Sequence, residues 1–179
     1  MKKSPIHYKA TPPVDITFHY TNEEMVKDLI KLIPFKTTDT ILDAGSGKNK
    51  VWYNNLNLIC KERFECELED GCDFLETEGL LPEFKGWHKK VDWVIGNPPF
   101  SVGWKFTQKA TEIANKGIAF LGSIQFFNQF TALRLEKMKE NGFELQHIHI
   151  LADKRWFGRY YFLIFEKKKG ILSWERKTY

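Results

Sequence analysis

Cysteine is scarce: the 179 residues hold only Cys60, Cys66 and Cys72. No pair has the two-residue gap of a zinc knuckle or a redox dithiol, and reduced, buried thiols are expected from so sparse and odd a set. Long apolar runs are missing too. None approaches the roughly 18 residues of a membrane span, and mean hydropathy is −0.42. The opening residues lack the apolar stretch of a secretory signal, so a cytoplasmic protein without a membrane partner is expected. There is no internal repeat and no low-complexity linker. The five histidines lack ligand spacing on a helix. His147 and His149 alternate along an expected strand and read as a solvent-facing or satisfied pair, so no metal is expected.

What is present is one domain's worth of chain. Residues 1–20 hold three of the seven prolines and read as an irregular N-terminal arm, with 21–179 as a single domain. Aromatics reach 15%, a high share that implies a dense core or stacking surfaces for planar ligands. Net charge is +4, and its distribution says more than its size. Residues 61–92 hold ten acidic side chains against five basic ones, whereas 151–179 hold eight basic against three acidic. A basic end is compatible with a phosphate-rich partner.

Periodicity organises the rest. Thr21-Asn22-Glu23-Glu24 fits a capping box, followed at helical spacing by Met25, Val26, Leu29, Ile30 and Ile33, with Pro34 ending the helix. Strands are expected at Thr40–Asp43, Arg63–Glu69, Val91–Ile95, Gly117–Leu121, Leu145–Leu151 and Tyr160–Phe165. The expected strand from Arg63 turns Phe64, Cys66 and Leu68 inward. Helices are expected over 102–115 and Thr131–Asn141. Strands alternating with helices predict an α/β fold with a mostly parallel sheet covered on both faces. Ligands of such sheets sit beyond the carboxyl ends of the strands, near the topological switch point.

Two turns fall at such ends. The first is Asp43-Ala44-Gly45-Ser46-Gly47-Lys48-Asn49. A phosphate-binding P-loop would need Gly and Ser/Thr where Leu42 and Asn49 stand, and a dinucleotide fingerprint would need Gly at Lys50. What remains, Asp-x-Gly-x-Gly after a strand, resembles motif I of Rossmann-like S-adenosylmethionine-dependent methyltransferases. The resemblance implies that Asp43, Gly45 and Gly47 bind the cofactor, whose tail carries an ammonium an acid can serve. The family's usual third Gly is replaced by Asn49, which tolerates a left-handed backbone. About 20 residues on, an acid commonly grips a ribose diol. Cys66-Glu67-Leu68-Glu69 matches the family there, with Glu67 as the ligand. Asp73 and Phe74 resemble the next motif, where the acid accepts from the adenine amino group.

The second turn, Gly96-Asn97-Pro98-Pro99-Phe100, is the most specific signal in the chain. Consecutive prolines cannot donate to a ladder, so they fix the backbone and free local carbonyls to face a ligand. The segment resembles the (Asp/Asn/Ser)-Pro-Pro-(Tyr/Phe) signature of amino-group methyltransferases, whose Asn form is commonest among adenine-N6 enzymes. A planar amine is a poor nucleophile. The Asn97 side-chain oxygen and the Pro98 carbonyl would hold its two hydrogens and favour charge developing on nitrogen. Pro99 would stiffen the loop, and Phe100 would stack on a flipped base. Cytosine-C5 chemistry is disfavoured because no Pro-Cys dipeptide exists.

The resemblance extends over residues 18–166. Phe18-His19-Tyr20-Thr21 looks like the motif covering the cofactor's methionine end, with Asn22 in place of its usual Pro. Tyr20, Thr21 and Asn97 are thus further cofactor contacts. Arg155, Trp156, Phe157 and Arg159 lie where the family places substrate contacts, the aromatics for the base and the arginines for phosphate. The implied fold is a Rossmann-like, seven-stranded-type methyltransferase sheet. The implied function is S-adenosylmethionine-dependent methylation of adenine N6 in nucleic acid, DNA ahead of RNA. The alternatives are an RNA adenine-N6 or guanine-N2 enzyme and a non-catalytic nucleic-acid-binding subunit. The motifs leave no room for a separate target-recognition domain. Weak sequence discrimination, recognition of shape, a homodimer or a specificity partner is the expected consequence.

Overall fold

Thr40–Ala44 (β1) and Val91–Gly96 (β5) are almost wholly buried, as strands covered on both faces must be. They lie side by side within a six-stranded sheet of a computed structural model that describes residues 21–57, 59–60, 62–76, 85–151, 159–168 and 170. The sheet order is β2-β1-β5-β6-β8-β7, with β2 at Glu62–Cys66, β6 at Ala114–Ser123, β7 at Glu144–Leu151 and β8 at Tyr160–Glu166. Neighbours from β2 to β6 run parallel, while β8 is antiparallel to both β6 and β7. A two-residue parallel pair, β3 (Cys72–Asp73) with β4 (Lys85–Gly86), stands apart from this sheet. The mostly parallel sheet is as expected, with six strands in it among the described residues.

The two-residue period of the strands sorts their side chains between two cores. Leu42, Val94, Ile118 and Phe120 pack beneath α3 (Gly103–Ile113), α4 (Ile124–Phe127) and α5 (Ala132–Glu140). Ile41, Ile95, Ala119 and Leu121 pack on the other face against α1 (Glu23–Ile30) and α2 (Val51–Asn55).

Several local expectations shift. Asn22, not Thr21, caps α1, its side chain accepting from the Glu24 N–H at 2.8 Å. That helix ends at Ile30, short of Pro34. The second strand stops at Cys66, and Leu68 lies half-exposed in a 3₁₀ turn over Leu68–Asp70, because the chain must bend there to reach β3. α3 gives way directly to β6 at Ala114. Cys66 and Cys72 are joined by a disulfide rather than reduced, since the bend brings their Cα atoms to 5.2 Å. Cys60 is free. His147 and His149 are exposed along β7, the solvent-facing alternative of the two. No helix among the described residues is long and apolar enough to cross a membrane, and no His/Cys/Asp/Glu group there forms a metal cluster.

Candidate active site

The chain leaves β1 for β2 on one side and returns to β5 on the other. The carboxyl ends of β1 and β5 therefore flank the switch point, with Asp43 registered against Ile95. Two motifs 54 positions apart meet there and open on one cavity of about 490 Å³. Its lining takes in Gly45 and Gly47 from the first turn, Asn97 to Phe100 from the second, and Glu67, Asp73 and Phe74 from the segment after β2.

The glycine turn is stitched to the end of β2. Gly45 and Gly47 have φ of +73° and +66°, a region closed to most side chains. The Gly45 N–H donates to the Cys66 carbonyl at 2.8 Å, and the Gly47 N–H donates to Glu67 Oε2 at 2.6 Å. Glu67 thus lines the cavity while already holding the turn with one oxygen. The left-handed non-glycine residue is Lys50, at φ 47°, rather than Asn49. Lys50 is held there by ion pairs with Glu65 and Asp70, which keep its ammonium well above the ordinary lysine value.

Asp43 lies behind the turn, fully buried and outside the cavity lining. Its Oδ2 accepts from the Tyr53 N–H at 3.0 Å and so caps α2, whose N-cap residue Lys50 supplies no side-chain bond. Its Oδ1 is buried without a hydrogen-bond partner among the described residues. Burial pushes the carboxyl up from 3.8 to about 8, and the nearby charges of Glu65 and Glu67 add to this against the Tyr53 N–H.

At the second turn, Gly96 has φ +143°, and a Cβ there would meet the Ala44 carbonyl at 2.7 Å. Only glycine lets β5 pass so close to the end of β1. The Asn97 amide nitrogen donates to Thr21 Oγ1 at 3.2 Å, tying the segment before α1 to the loop. Pro98 is buried, Pro99 exposed, and the Phe100 ring lies 6.3 Å from that of Tyr160. Asp73 lines the cavity with Oδ1 accepting from the Leu75 N–H at 2.9 Å, and Phe74 packs on Phe106 at 4.9 Å.

Of the residues expected in the site, Thr21, Gly45, Gly47, Glu67, Asp73, Phe74, Asn97, Pro98, Pro99 and Phe100 share the cavity. Arg159 is exposed just before β8 and does not line it. Tyr20, Arg155, Trp156 and Phe157 lie outside the described residues. Sequence reasoning missed Ser46, Trp52, Leu68 and Phe106, all of which line the cavity. Trp52 is 2% exposed, and its indole N–H has no partner among the described residues. Its signal was a tryptophan just past the glycine turn, at the start of a short helix the periodicity did not reveal.

No family model matches the sequence, and no curated protein does. Solved structures do. A proposed RNA methyltransferase from Pyrococcus horikoshii superposes with a TM-score of 0.59 at 20% identity, covering 88% of this chain and 91% of that one. The 23S rRNA methyltransferase ErmE gives 0.63 at 12% identity over 84% of this chain and 70% of its own. Magnesium protoporphyrin IX methyltransferase from Synechocystis, solved with S-adenosylmethionine bound, gives 0.53 at 11% over 82% and 77%. The chain has the Rossmann-like fold of class I methyltransferases.

Proposed function

We propose that the cavity binds S-adenosylmethionine and that the chain methylates the exocyclic N6 amine of adenine in nucleic acid, with DNA as the first substrate. One observation carries the reading: Asn97-Pro98-Pro99-Phe100 opens on the same cavity as the glycine turn, Glu67 and Asp73.

The residues suit this cofactor. Glu67 Oε1, which accepts from the Glu69 N–H at 3.5 Å, has a further lone pair for a ribose diol, Asp73 offers acceptors to an adenine amino group, and Phe74, Leu68 and Phe106 provide an apolar bed. An amino-acid tail needs one acceptor for its ammonium and one donor for its carboxylate. Trp52 Nε1, in the cavity lining, is a buried donor without a partner among the described residues, while Asp43 Oδ1, a buried acceptor likewise without one, stands behind the turn and backs the glycines from outside the cavity. When bound, the cofactor supplies a methyl group made electrophilic by its sulfonium.

The chain's own residues supply position. With its amide nitrogen on Thr21 Oγ1, Asn97 offers its oxygen as an acceptor for an amine hydrogen. The Pro98 carbonyl is the second acceptor, and together they hold the amine lone pair toward the methyl group. Phe100 stacks on the extruded base. Arg159 contacts phosphate from the rim, and Tyr20, Arg155, Trp156 and Phe157 keep the roles their motifs imply. No general base is needed, because the nitrogen sheds its proton after transfer.

A second reading moves the substrate to structured RNA, with adenine N6 or guanine N2 as target. It is favoured by the RNA methyltransferases among the superposed structures. Radiolabelled methyl transfer to duplex DNA, single-stranded DNA and RNA separates the two. Label in DNA recovered as N6-methyl-2′-deoxyadenosine supports the first reading, and label in RNA alone rejects it. Asn97→Ala should lower transfer by about a hundredfold or more, with cofactor binding followed separately by calorimetry. Cofactor binding without transfer to any pool would favour a non-catalytic subunit.

A further inference from the structure

The Asn-Pro-Pro-Phe loop is poor in backbone donors. Pro98 and Pro99 have no N–H to tie down. The loop passes through a 3₁₀ turn at Phe100–Val102 into α3, and Val102 at the head of that helix provides no side-chain cap. The first amides of a helix need partners from elsewhere. One side chain serves both places. Gln129 Oε1 accepts from the Trp104 N–H at 2.9 Å, and its Nε2 donates to the Phe100 carbonyl and to the Gln125 carbonyl at 3.2 Å. Both amide hydrogens and the amide oxygen are therefore engaged, across the two ends of the segment joining the loop to α3.

Gln129 is itself fixed. Its backbone N–H donates to the Phe126 carbonyl at 3.0 Å, and its own carbonyl accepts from Arg134 Nη1 at 2.8 Å. The Arg134 guanidinium in turn lies 5.0 Å from the Trp104 ring centroid. Phe126 is fully buried, and its ring occupies the space where a Cβ at Gly103 or Gly122 would stand, at 2.2 and 2.3 Å. The turn carrying Gln129 is thus keyed sterically to the start of α3 as well as hydrogen-bonded to it. Gln129 does not line the cavity, so it meets neither cofactor nor target directly.

We infer that Gln129 is a positioning residue for methyl transfer: its carboxamide braces residues 97–104 so that the Asn97 and Pro98 acceptors keep the geometry an amine requires. This rests on the amino-methyltransferase reading. The brace requires both a donor and an acceptor. Glutamate keeps the length and the acceptor but turns a carboxylate toward the Phe100 and Gln125 carbonyls. Leucine removes both functions.

The test compares Gln129→Leu and Gln129→Glu with the wild type in the full chain. Cofactor affinity should stay within about twofold, because no cavity contact is lost, while kcat falls about tenfold or more with KM little changed. Amide hydrogen exchange over 100–104 should quicken about tenfold. The Gln129→Glu variant preserves bulk and polarity and carries the test if the leucine variant folds poorly. A folded variant with wild-type kcat overturns the inference, as does unchanged exchange at Trp104. If the wild type binds cofactor but transfers no methyl group, the methyltransferase reading fails, and exchange alone then decides the brace.

Discussion

Two aspartates four positions apart stand at opposite ends of β1 and meet opposite treatment. Asp39, just before the strand, is 1% exposed and fully matched. Lys116 pairs with it at 2.6 Å, the Trp93 indole N–H donates to it at 3.1 Å, and the Lys36 N–H donates at 3.0 Å. Lys116 also reaches Asp92 at 3.1 Å, and its hydrogen bond to Asp39 raises the ammonium above its ordinary value. Asp43, at the far end, has one N–H and, among the described residues, no cation. The amino ends of these strands are closed by a saturated ionic cluster. The carboxyl ends retain polar capacity the fold does not use, which is where a ligand finds partners.

The largest effect should come from breaking the saturated end. Lys116→Met leaves the buried Asp39 carboxylate with neutral donors only. It should cost about 2 kcal/mol in denaturant unfolding, less than a fully buried pair because Lys116 is half-exposed. Cofactor affinity should not change, and a loss there would erase the distinction between the two ends. Next, Glu67→Gln keeps an acceptor for Gly47 but loses charge and the second oxygen, which accepts from the Glu69 N–H. It should weaken cofactor binding about tenfold by calorimetry, with thermal stability nearly unchanged.

The sharpest effect lies at Asp43. Its carboxyl is raised from 3.8 to about 8, so the protonated form favours the native state. That contribution is complete below the unfolded value and is lost as pH rises through about 8. Asp43→Asn keeps an acceptor for Tyr53 and does not ionise. Relative to the wild type, its melting temperature should rise by several degrees between pH 5 and pH 8. A pH-independent difference would mean that Asp43 is charged throughout and balanced by a group outside the cavity wall.

Much of this was legible in the chain itself. β1, β5, β7 and β8 follow from short apolar runs, and the glycine and proline turns announce their positions. Glu67, Asp73 and Asn97, which line the cavity, stand out in the sequence because their motifs are contiguous. Asp39, Trp52 and Gln129 were not, because their partners lie far off or their elements are too short for a period to show. The chain's composition gave no hint that Cys66 and Cys72 pair, since that depends on the bend after β2 rather than on spacing alone.

Local chemistry determined that residues 45–49 form a tight turn and that 97–100 form a stiff, carbonyl-rich loop, because glycine and proline act through their own backbones. Only the tertiary structure decided that the two turns share a cavity, that Asp43 supports the turn from behind while Glu67 faces inward, and that Gln129 bridges Phe100 to Trp104. Those outcomes depend on the switch in strand order between β1 and β5 and on which side chains the sheet buries, and no window of sequence contains either.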